Sequence, residues 1–220
     1  MTIRVVLAED NALLREGVAR LLEAAPEIEL AATCGDYDSL LAAIADTEPD
    51  VVLTDIRMPP THTDEGIRAA AALRAERPTT GVVVLSQYAD PAYALALLDG
   101  GSQSRAYLLK ERVADVSELL RAIREVAAGG SVIDPKVVEA LVEARTRAAR
   151  SPLGRLTPRE REILGEMAQG RNNASIASAL VLSERAVEKH INSIFSKLSL
   201  GEEPETHRRV KAVLLFLADQ

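Results

Sequence analysis

The sequence has few cysteine and aromatic residues and lacks a long apolar run, so it does not resemble a disulfide-rich, aromatic-rich or membrane-spanning protein. It contains one cysteine and no tryptophan, and aromatic residues make up 3% of the chain. Cys34 has no partner for an internal disulfide, so we interpret it as a buried thiol in a cytoplasmic protein. No run reaches the roughly 18 apolar residues of a membrane span, and the first residues lack the apolar segment of a signal peptide. The three histidines lie far apart without metal-ligand spacing.

Charge is unevenly distributed along the 220 residues. Residues 1–145 hold 14 Lys and Arg against 24 Asp and Glu, a net charge of −10, whereas residues 146–220 hold 12 against 9, a net charge of +3. A change of sign of this kind predicts two domains with different partners. The basic half permits nucleic-acid binding without requiring it.

Short apolar runs alternate with amphipathic segments in the first half of the chain. The runs are the length of buried strands, and the segments between them have helical spacing of their apolar residues. Strands are predicted at 3–8, 28–33, 51–54, 82–85 and 106–109, each followed by a helix, at 12–25, 37–46, 65–77, 92–98 and 116–128. This alternation predicts an α/β fold of the flavodoxin-like type, a five-stranded parallel sheet with helices on both faces.

Polar residues follow the predicted strands at the edge of the sheet where sites of such folds lie. Crowded carboxylates favour a hard cation such as Mg²⁺, a carboxylate is a nucleophile for phosphoryl groups, and an amine or hydroxyl binds phosphoryl oxygens. The alternatives are that the acid after the third strand only caps a turn and that the amine only neutralises buried acids. The residues concerned are Glu9, Asp10, Asp55, Ser86 and Lys110.

Residues 1–130 resemble the receiver domain of bacterial two-component response regulators. The resemblance rests on Glu9-Asp10, the run from Asp55 to Pro59, Ser86, and the run from Tyr107 to Lys110. It implies that Asp55 accepts a phosphoryl group from a sensor histidine kinase. It also implies that Ser86 and Tyr107 form a switch pair and that Lys110 contacts the phosphoryl group. The implied Mg²⁺ ligands are Glu9, Asp10, Asp55 and the backbone carbonyl of Arg57.

Two loops depart from this family pattern. Residues 61–66, after the third strand, and residues 101–106, before the fifth, are both longer than usual. They flank the predicted site without removing a motif residue. We therefore expect the shape of the switch surface to differ from the family pattern, but not the chemistry.

Residues 131–154 have the character of a partly helical interdomain linker, and residues 155–220 that of a small all-α domain. Thr157, Pro158 and Glu160 have the spacing of a capping box at a helix start. A short helix at 174–180, a turn and a longer helix at 184–198 then predict a helix-turn-helix. Polar residues of the longer helix are expected to face away from the core, namely Arg185, Lys189, Asn192, Ser193 and Ser196. A plain helical bundle with a solvated face is the alternative.

The second half is similar to the effector domain of LuxR/NarL-type regulators. The runs from Leu156 to Leu164 and from Ser183 to Asn192 carry the resemblance. It implies a four-helix DNA-binding domain whose recognition helix, 184–198, presents Glu188, Lys189 and Asn192 to double-stranded DNA. The last helix, 205–218, would form a homodimer on DNA through Val210, Val213, Leu214 and Leu217.

Together these features predict a NarL/FixJ/LuxR-type response regulator, a dimeric transcription factor switched by phosphorylation. It would not be an enzyme, and we expect no small-molecule substrate and no membrane partner. One alternative is a DNA-binding regulator with a vestigial receiver that works without phosphorylation. The other is a phosphatase of the haloacid dehalogenase class, whose chemistry needs an acid two residues after Asp55, where this chain has Arg57.

Overall fold

The computed structural model describes residues 2–201 and 207–218, without the side chains of residues 114 and 148–150. The chain forms two compact units, Met1–Val142 and Glu143–Gln220. The predicted start of the last helix, at 205 and 206, lies outside the described residues.

The first unit is built on a parallel sheet with the strand order β2-β1-β3-β4-β5-β6. Its strands are β1 (Ile3–Ala8), β2 (Ile28–Cys34), β3 (Val51–Asp55), β4 (Gly81–Ser86), β5 (Arg105–Leu109) and β6 (Ser131–Ile133). The helices between them are α1 (Ala12–Glu23), α2 (Tyr37–Thr47), α3 (Glu65–Glu76), α4 (Pro91–Leu98) and α5 (Val116–Ala127). The parallel α/β architecture predicted from the sequence is confirmed.

Within the described residues the sheet has six strands, so the predicted number of five is wrong. β6 pairs in parallel with β5, Arg105 opposite Ser131 and Tyr107 opposite Ile133. Three residues between a glycine pair and the start of a helix are too short to show a strand periodicity in the sequence. The helix that follows, α6 (Pro135–Arg150), begins at the first unit, where Val137 is fully buried in the core. The segment predicted as a linker thus begins with a strand of the sheet.

Apolar side chains cover both faces of the sheet. Val5 and Leu7 point into a core shared with α1 and α5, whereas Val6 and Ala8 point into a core shared with α2, α3 and α4. Alternate residues of a strand face opposite sides, so burial of both faces requires an uninterrupted apolar run. This explains why the central strands could be recognised in the sequence.

The second unit is helical around one core. Its helices are α7 (Pro158–Ala168), α8 (Asn173–Ala179), α9 (Glu184–Lys197) and α10 (Arg208–Leu217). The capping box predicted at Thr157 and Glu160 is present, and Asn172 and Ser183 cap α8 and α9 through their side chains. Across residues 2–201 and 207–218, no helix is long and apolar enough to cross a membrane.

Candidate functional site

The strand register brings the predicted site residues to one edge of the sheet. Ala8 lies opposite Thr54, Asp55 opposite Leu85, and Ser86 opposite Leu109. Asp55, Ser86 and the residues that follow Ala8 and Leu109 therefore lie close to one another at the carboxyl ends of neighbouring strands. In parallel α/β sheets this carboxyl-end edge is where ligands bind.

Three acids form a cluster at this edge. Glu9, Asp10 and Asp55 each place a carboxylate oxygen within 4.8 Å of the others. Glu9 is fully buried and Asp55 is 7% exposed, so water screens their repulsion poorly. A set of oxygen donors at this spacing fits a hard divalent cation such as Mg²⁺.

Lys110 supplies a positive charge to this cluster. Its Nζ lies 2.8 Å from Asp55 Oδ2 and 2.8 Å from Glu9 Oε2. Burial raises the pKa of Glu9. Burial lowers the pKa of Lys110, but hydrogen bonds to Asp55 and Glu9 outweigh this and leave it raised, so the amine stays charged. The single positive charge of Lys110 does not balance the three carboxyl groups of the cluster, so a cation bound there would be stabilised electrostatically.

The predicted switch residues meet at one backbone carbonyl. The Ser86 hydroxyl donates to the carbonyl oxygen of Tyr88 over 2.9 Å, and the Tyr107 hydroxyl donates to the same oxygen over 3.0 Å. The Tyr107 side chain is fully buried, and burial raises its pKa. Ser86 and Tyr107 are therefore linked through Tyr88, although neither sequence motif includes it.

A cavity of about 70 Å³ opens between the acid cluster and these residues, lined among others by Asp55, Ser86 and Lys110. This is several times the volume that one water needs. Arg57 also lines it, and the Arg57 Nε donates to the Tyr93 hydroxyl over 3.2 Å. The cavity thus has room for a small polyatomic group beside Asp55.

Glu65 holds the lengthened loop after β3, and no sequence motif identified it. Its buried carboxylate accepts hydrogen bonds from the backbone nitrogens of Met58, Thr61 and Thr63 over 3.0 to 3.2 Å, and from the Thr61 hydroxyl. Burial raises the pKa of Glu65, but these hydrogen bonds lower it to about 2. The available signal was an acid in the first turn of a helix after a loop rich in threonine.

Gly66 fixes the distance between α3 and the end of β3. A Cβ atom there would overlap the carbonyl oxygen of Asp55 and lie 3.1 Å from the Cα of Ile56. The Gly66 nitrogen donates to the Ile56 carbonyl over 2.9 Å. Glycine is therefore required for close approach of the helix to the strand that carries Asp55.

In the second unit, most of the predicted surface of α9 is exposed. The exposed residues are Arg185, Glu188, Lys189, Asn192 and Ser196. Ser193 is the exception, because its half-buried hydroxyl donates to Glu160 Oε1 over 2.7 Å. The prediction that Ser193 faces away from the core is therefore wrong.

Glu160 connects the start of α7 to α9. Its carboxylate accepts from the Thr157 nitrogen, the Ser193 hydroxyl and Lys197 Nζ, each over 2.7 Å. Burial raises its pKa, but hydrogen bonding, first of all from Lys197, lowers it to about 2. A buried carboxylate with this set of donors stays ionised at neutral pH.

An apolar stripe runs along α10. Val210, Leu214 and Leu217 are 55%, 61% and 55% exposed, at a spacing that places them on one face. Val213, predicted to share this surface, instead packs against the core beside Ala212. The exposed stripe is therefore narrower than the sequence suggested.

Two protein families match the two units. The family described as Response regulator receiver domain matches residues 5–124, and the family described as Bacterial regulatory proteins, luxR family matches residues 154–214. The first match includes the acid cluster, Ser86, Tyr107 and Lys110. The second includes α7, α8, α9 and part of α10.

Similar proteins match over almost the whole chain. The nitrate/nitrite response regulator protein NarP of Escherichia coli is 35% identical, with 97% of this chain and 94% of NarP covered. The transcriptional regulatory protein DegU of Brevibacillus brevis is 34% identical, with 92% and 90% covered. The RcsB response regulator of Salmonella typhimurium, a solved structure, is similar in fold with a TM-score of 0.66 at 22% identity, with 99% and 100% covered.

Proposed function

The chain belongs to the luxR family of bacterial response regulators, and from this premise we propose that it is a DNA-binding transcription regulator switched by phosphorylation of Asp55. A sensor histidine kinase is the phosphoryl donor, and double-stranded DNA is the target of the second unit. The main support is the 2.8 Å contact of Lys110 Nζ with Asp55 Oδ2 inside a cluster of three acids.

Asp55 is the nucleophile of the proposed reaction. One of its carboxylate oxygens forms a bond to phosphorus while the bond from phosphorus to the kinase's imidazole nitrogen breaks, and that nitrogen keeps the electron pair. Lys110 is already positioned to contact an oxygen of the transferred group. A preplaced charge of this kind stabilises phosphoryl transfer without reorganisation.

Glu9, Asp10 and Asp55, with the backbone carbonyl of Arg57, would hold the Mg²⁺ of this proposal. The ion would neutralise charge on the phosphoryl oxygens. The supporting observation is the donor set itself, which offers oxygen atoms and is short of positive charge.

Ser86 and Tyr107 convert the modification into a change of conformation. The Ser86 hydroxyl leaves the Tyr88 carbonyl to hydrogen-bond a phosphoryl oxygen, and Tyr107 then becomes the main side-chain donor to that carbonyl. This exchange changes contacts between the two states, which is what a phosphoryl group needs in order to shift their populations.

The second unit reads DNA through α9. Lys189 and Asn192 share an exposed face from which they reach base edges, Arg185 contacts phosphate, and Glu188 shapes specificity. Ser196 completes this surface. A homodimer formed through Val210, Leu214 and Leu217 on α10 matches two-fold related half-sites.

Mass spectrometry of the intact chain tests the phosphoacceptor. With Mg²⁺ and a small phosphodonor such as acetyl phosphate, we expect one added phosphoryl group in the parent and in Asp46→Ala, which removes an exposed acid on α2. We expect no added group in Asp55→Ala. Labelling of Asp55→Ala would show that the acceptor lies elsewhere.

The same samples test the switch through size analysis and through mapping of bound genomic DNA. The phosphodonor is expected to increase dimer formation and DNA binding of the parent but not of Asp55→Ala. Equal dimerisation and DNA binding of the two proteins under phosphodonor would contradict the proposed control by phosphorylation.

A further inference from the structure

His62 lies beside the acid cluster although no metal-ligand spacing in the sequence includes it. Its Nδ1 is 3.5 Å from Asp10 Oδ2, and the two side chains are 56% and 32% exposed. Asp10 is the most exposed acid of the cluster. Of the three acids, it therefore depends most on a neighbour to fix its orientation.

The loop around His62 is held on both sides. The nitrogens of Thr61 and Thr63 donate to the buried Glu65 carboxylate, and the Tyr93 hydroxyl donates to the Thr63 carbonyl over 2.7 Å. The backbone nitrogen of His62 donates to the Met58 carbonyl over 2.9 Å. The imidazole is thus carried by a backbone that is fixed by hydrogen bonds.

The backbone of His62 is left-handed, with φ of 55°. Residues other than glycine adopt this conformation only at a cost in free energy. This unfavourable conformation occurs at the residue whose imidazole lies next to Asp10. A strained residue whose side chain meets a predicted site is a reason to test a role in that site.

We propose that His62 is a positioning residue for the metal site, which holds Asp10 in the orientation that binds a divalent cation. The imidazole Nδ1 lies 3.5 Å from Asp10 Oδ2; with the cation bound, an Nδ1 proton would close this contact to a hydrogen bond and leave the other carboxylate oxygen for the ion. Carboxylates that bind metals are commonly held by such outer contacts. The inference rests on the metal site of the proposed function.

The geometry favours an outer contact over direct binding. Each of the three acids places an oxygen within 4.8 Å of the other two, and His62 is not part of that close set. Octahedral ligands of Mg²⁺, at about 2.1 Å from the ion, lie at most ~4.2 Å apart. A ligand atom of His62 would therefore have to move closer to the acids before it could share the ion with them. A role through Asp10 is therefore the one that the positions support.

Calorimetric titration of the full chain with Mg²⁺ and, separately, with Mn²⁺ tests the proposal. His62→Gly removes the imidazole, and glycine adopts a positive φ without strain. We expect its dissociation constants to rise about tenfold for both ions, the lower end for an outer contact because His62 is more than half exposed. His62→Asn keeps a donor and tolerates the same backbone, so its constants should fall between those of His62→Gly and the parent.

Two controls make the outcome decisive. His207→Gln changes a histidine of the second unit and should leave both constants unchanged. Thermal unfolding of the metal-free proteins should show similar midpoints for His62→Gly and the parent. If these two midpoints differ, the metal affinity of His62→Asn is compared with that of the parent instead.

Unchanged constants in His62→Gly would overturn the proposal, and so would a much larger loss for Mn²⁺ than for Mg²⁺, because that pattern indicates a direct nitrogen ligand. Asp10→Asn separates this failure from failure of the metal site. If Asp10→Asn weakens binding and His62→Gly does not, only the role of His62 is wrong. If Asp10→Asn has no effect, the metal site itself is wrong.

Discussion

At the scale of single residues, the site depends on side chains that are fixed before any ligand arrives. The Lys110 ammonium contacts the Asp55 carboxylate, and Gly66 lies so close to the Asp55 backbone carbonyl that there is no space for a Cβ atom. Neither constraint involves a flexible surface group. Small changes at these two positions should therefore have effects larger than their size suggests.

Gly66→Ala should destabilise the first unit and impair phosphorylation of Asp55. The added methyl group overlaps the Asp55 carbonyl oxygen, and relief of such crowding typically costs about 1–3 kcal/mol. Urea unfolding followed by tyrosine fluorescence measures this unit alone, since all four tyrosines lie in it.

Gly17→Ala is the matched control for Gly66→Ala. Gly17 lies within α1, and a Cβ atom there meets nothing within 4 Å. Alanine in an open helical position should stabilise the unit by roughly 0.5–1 kcal/mol. If both variants changed stability in the same direction, the close approach at Gly66 would not be the cause.

At the scale of elements, the structure shows which features the sequence could reveal. β3 and β4 were predicted because burial of both faces leaves an unbroken apolar run, and polar residues at their ends marked the site. β6 was missed because three residues are too few to show a strand periodicity. It forms through hydrogen bonds to β5, which is distant in sequence. The inward position of Ser193 was missed because the cause, Glu160, is 33 residues away.

The junction of α7 and α9 through Glu160 gives a prediction about pH. The folded-state pKa is about 2, below the ordinary 4.5, so the ionised carboxylate stabilises the fold above pH 4.5 and this contribution disappears as the pH falls towards 2. The shift corresponds to about 2 kcal/mol after allowance for screening at Lys197, which is a third exposed.

Glu160→Gln should remove that dependence. The variant should lose about 2 kcal/mol at neutral pH, and between pH 4.5 and 2 its second unit should lose less stability than that of the parent. Far-UV circular dichroism follows both units, and tyrosine fluorescence identifies the transition of the first. An equal decline of parent and variant over this pH range would show that another group is responsible.

At the scale of the whole molecule, the two units present surfaces of different chemistry. The first unit offers an acidic pocket with one lysine, and the second offers a polar helix face and an apolar stripe. Assembly and DNA binding should therefore be separable by single substitutions on the second unit.

Leu214→Asp should weaken the phosphodonor-dependent dimer while the chain remains folded. Leu214 is 61% exposed at the centre of the α10 stripe, so the charge is harmless in the monomer but lies unpaired within an interface. Sedimentation velocity measures the dimer fraction. Val181→Asp, at a position 92% exposed outside α10, should dimerise like the parent, and a dimer retained by Leu214→Asp would exclude α10 as the interface.

DNA binding should depend on salt through a small number of cations on α9, because the chain as a whole carries a charge of −7 and gains no general attraction to DNA. Each phosphate contact contributes about 0.9 to the slope of log affinity against log salt concentration. Arg185→Gln should therefore lower that slope by about 0.9 and weaken binding to all sequences alike.

Lys136→Gln is the control for this slope, since Lys136 is a half-exposed cation of the first unit that pairs with Glu111 over 2.6 Å. The salt slope of Lys136→Gln should equal that of the parent.

Asn192→Ala should keep the salt slope of the parent but lose discrimination between DNA sites, because an amide reads base edges and carries no charge. Fluorescence anisotropy with a bound site and a scrambled site at several salt concentrations separates these effects. If Arg185→Gln and Lys136→Gln gave the same slope, Arg185 would not contact phosphate and the assignment of α9 as the DNA-facing helix would lose its electrostatic support.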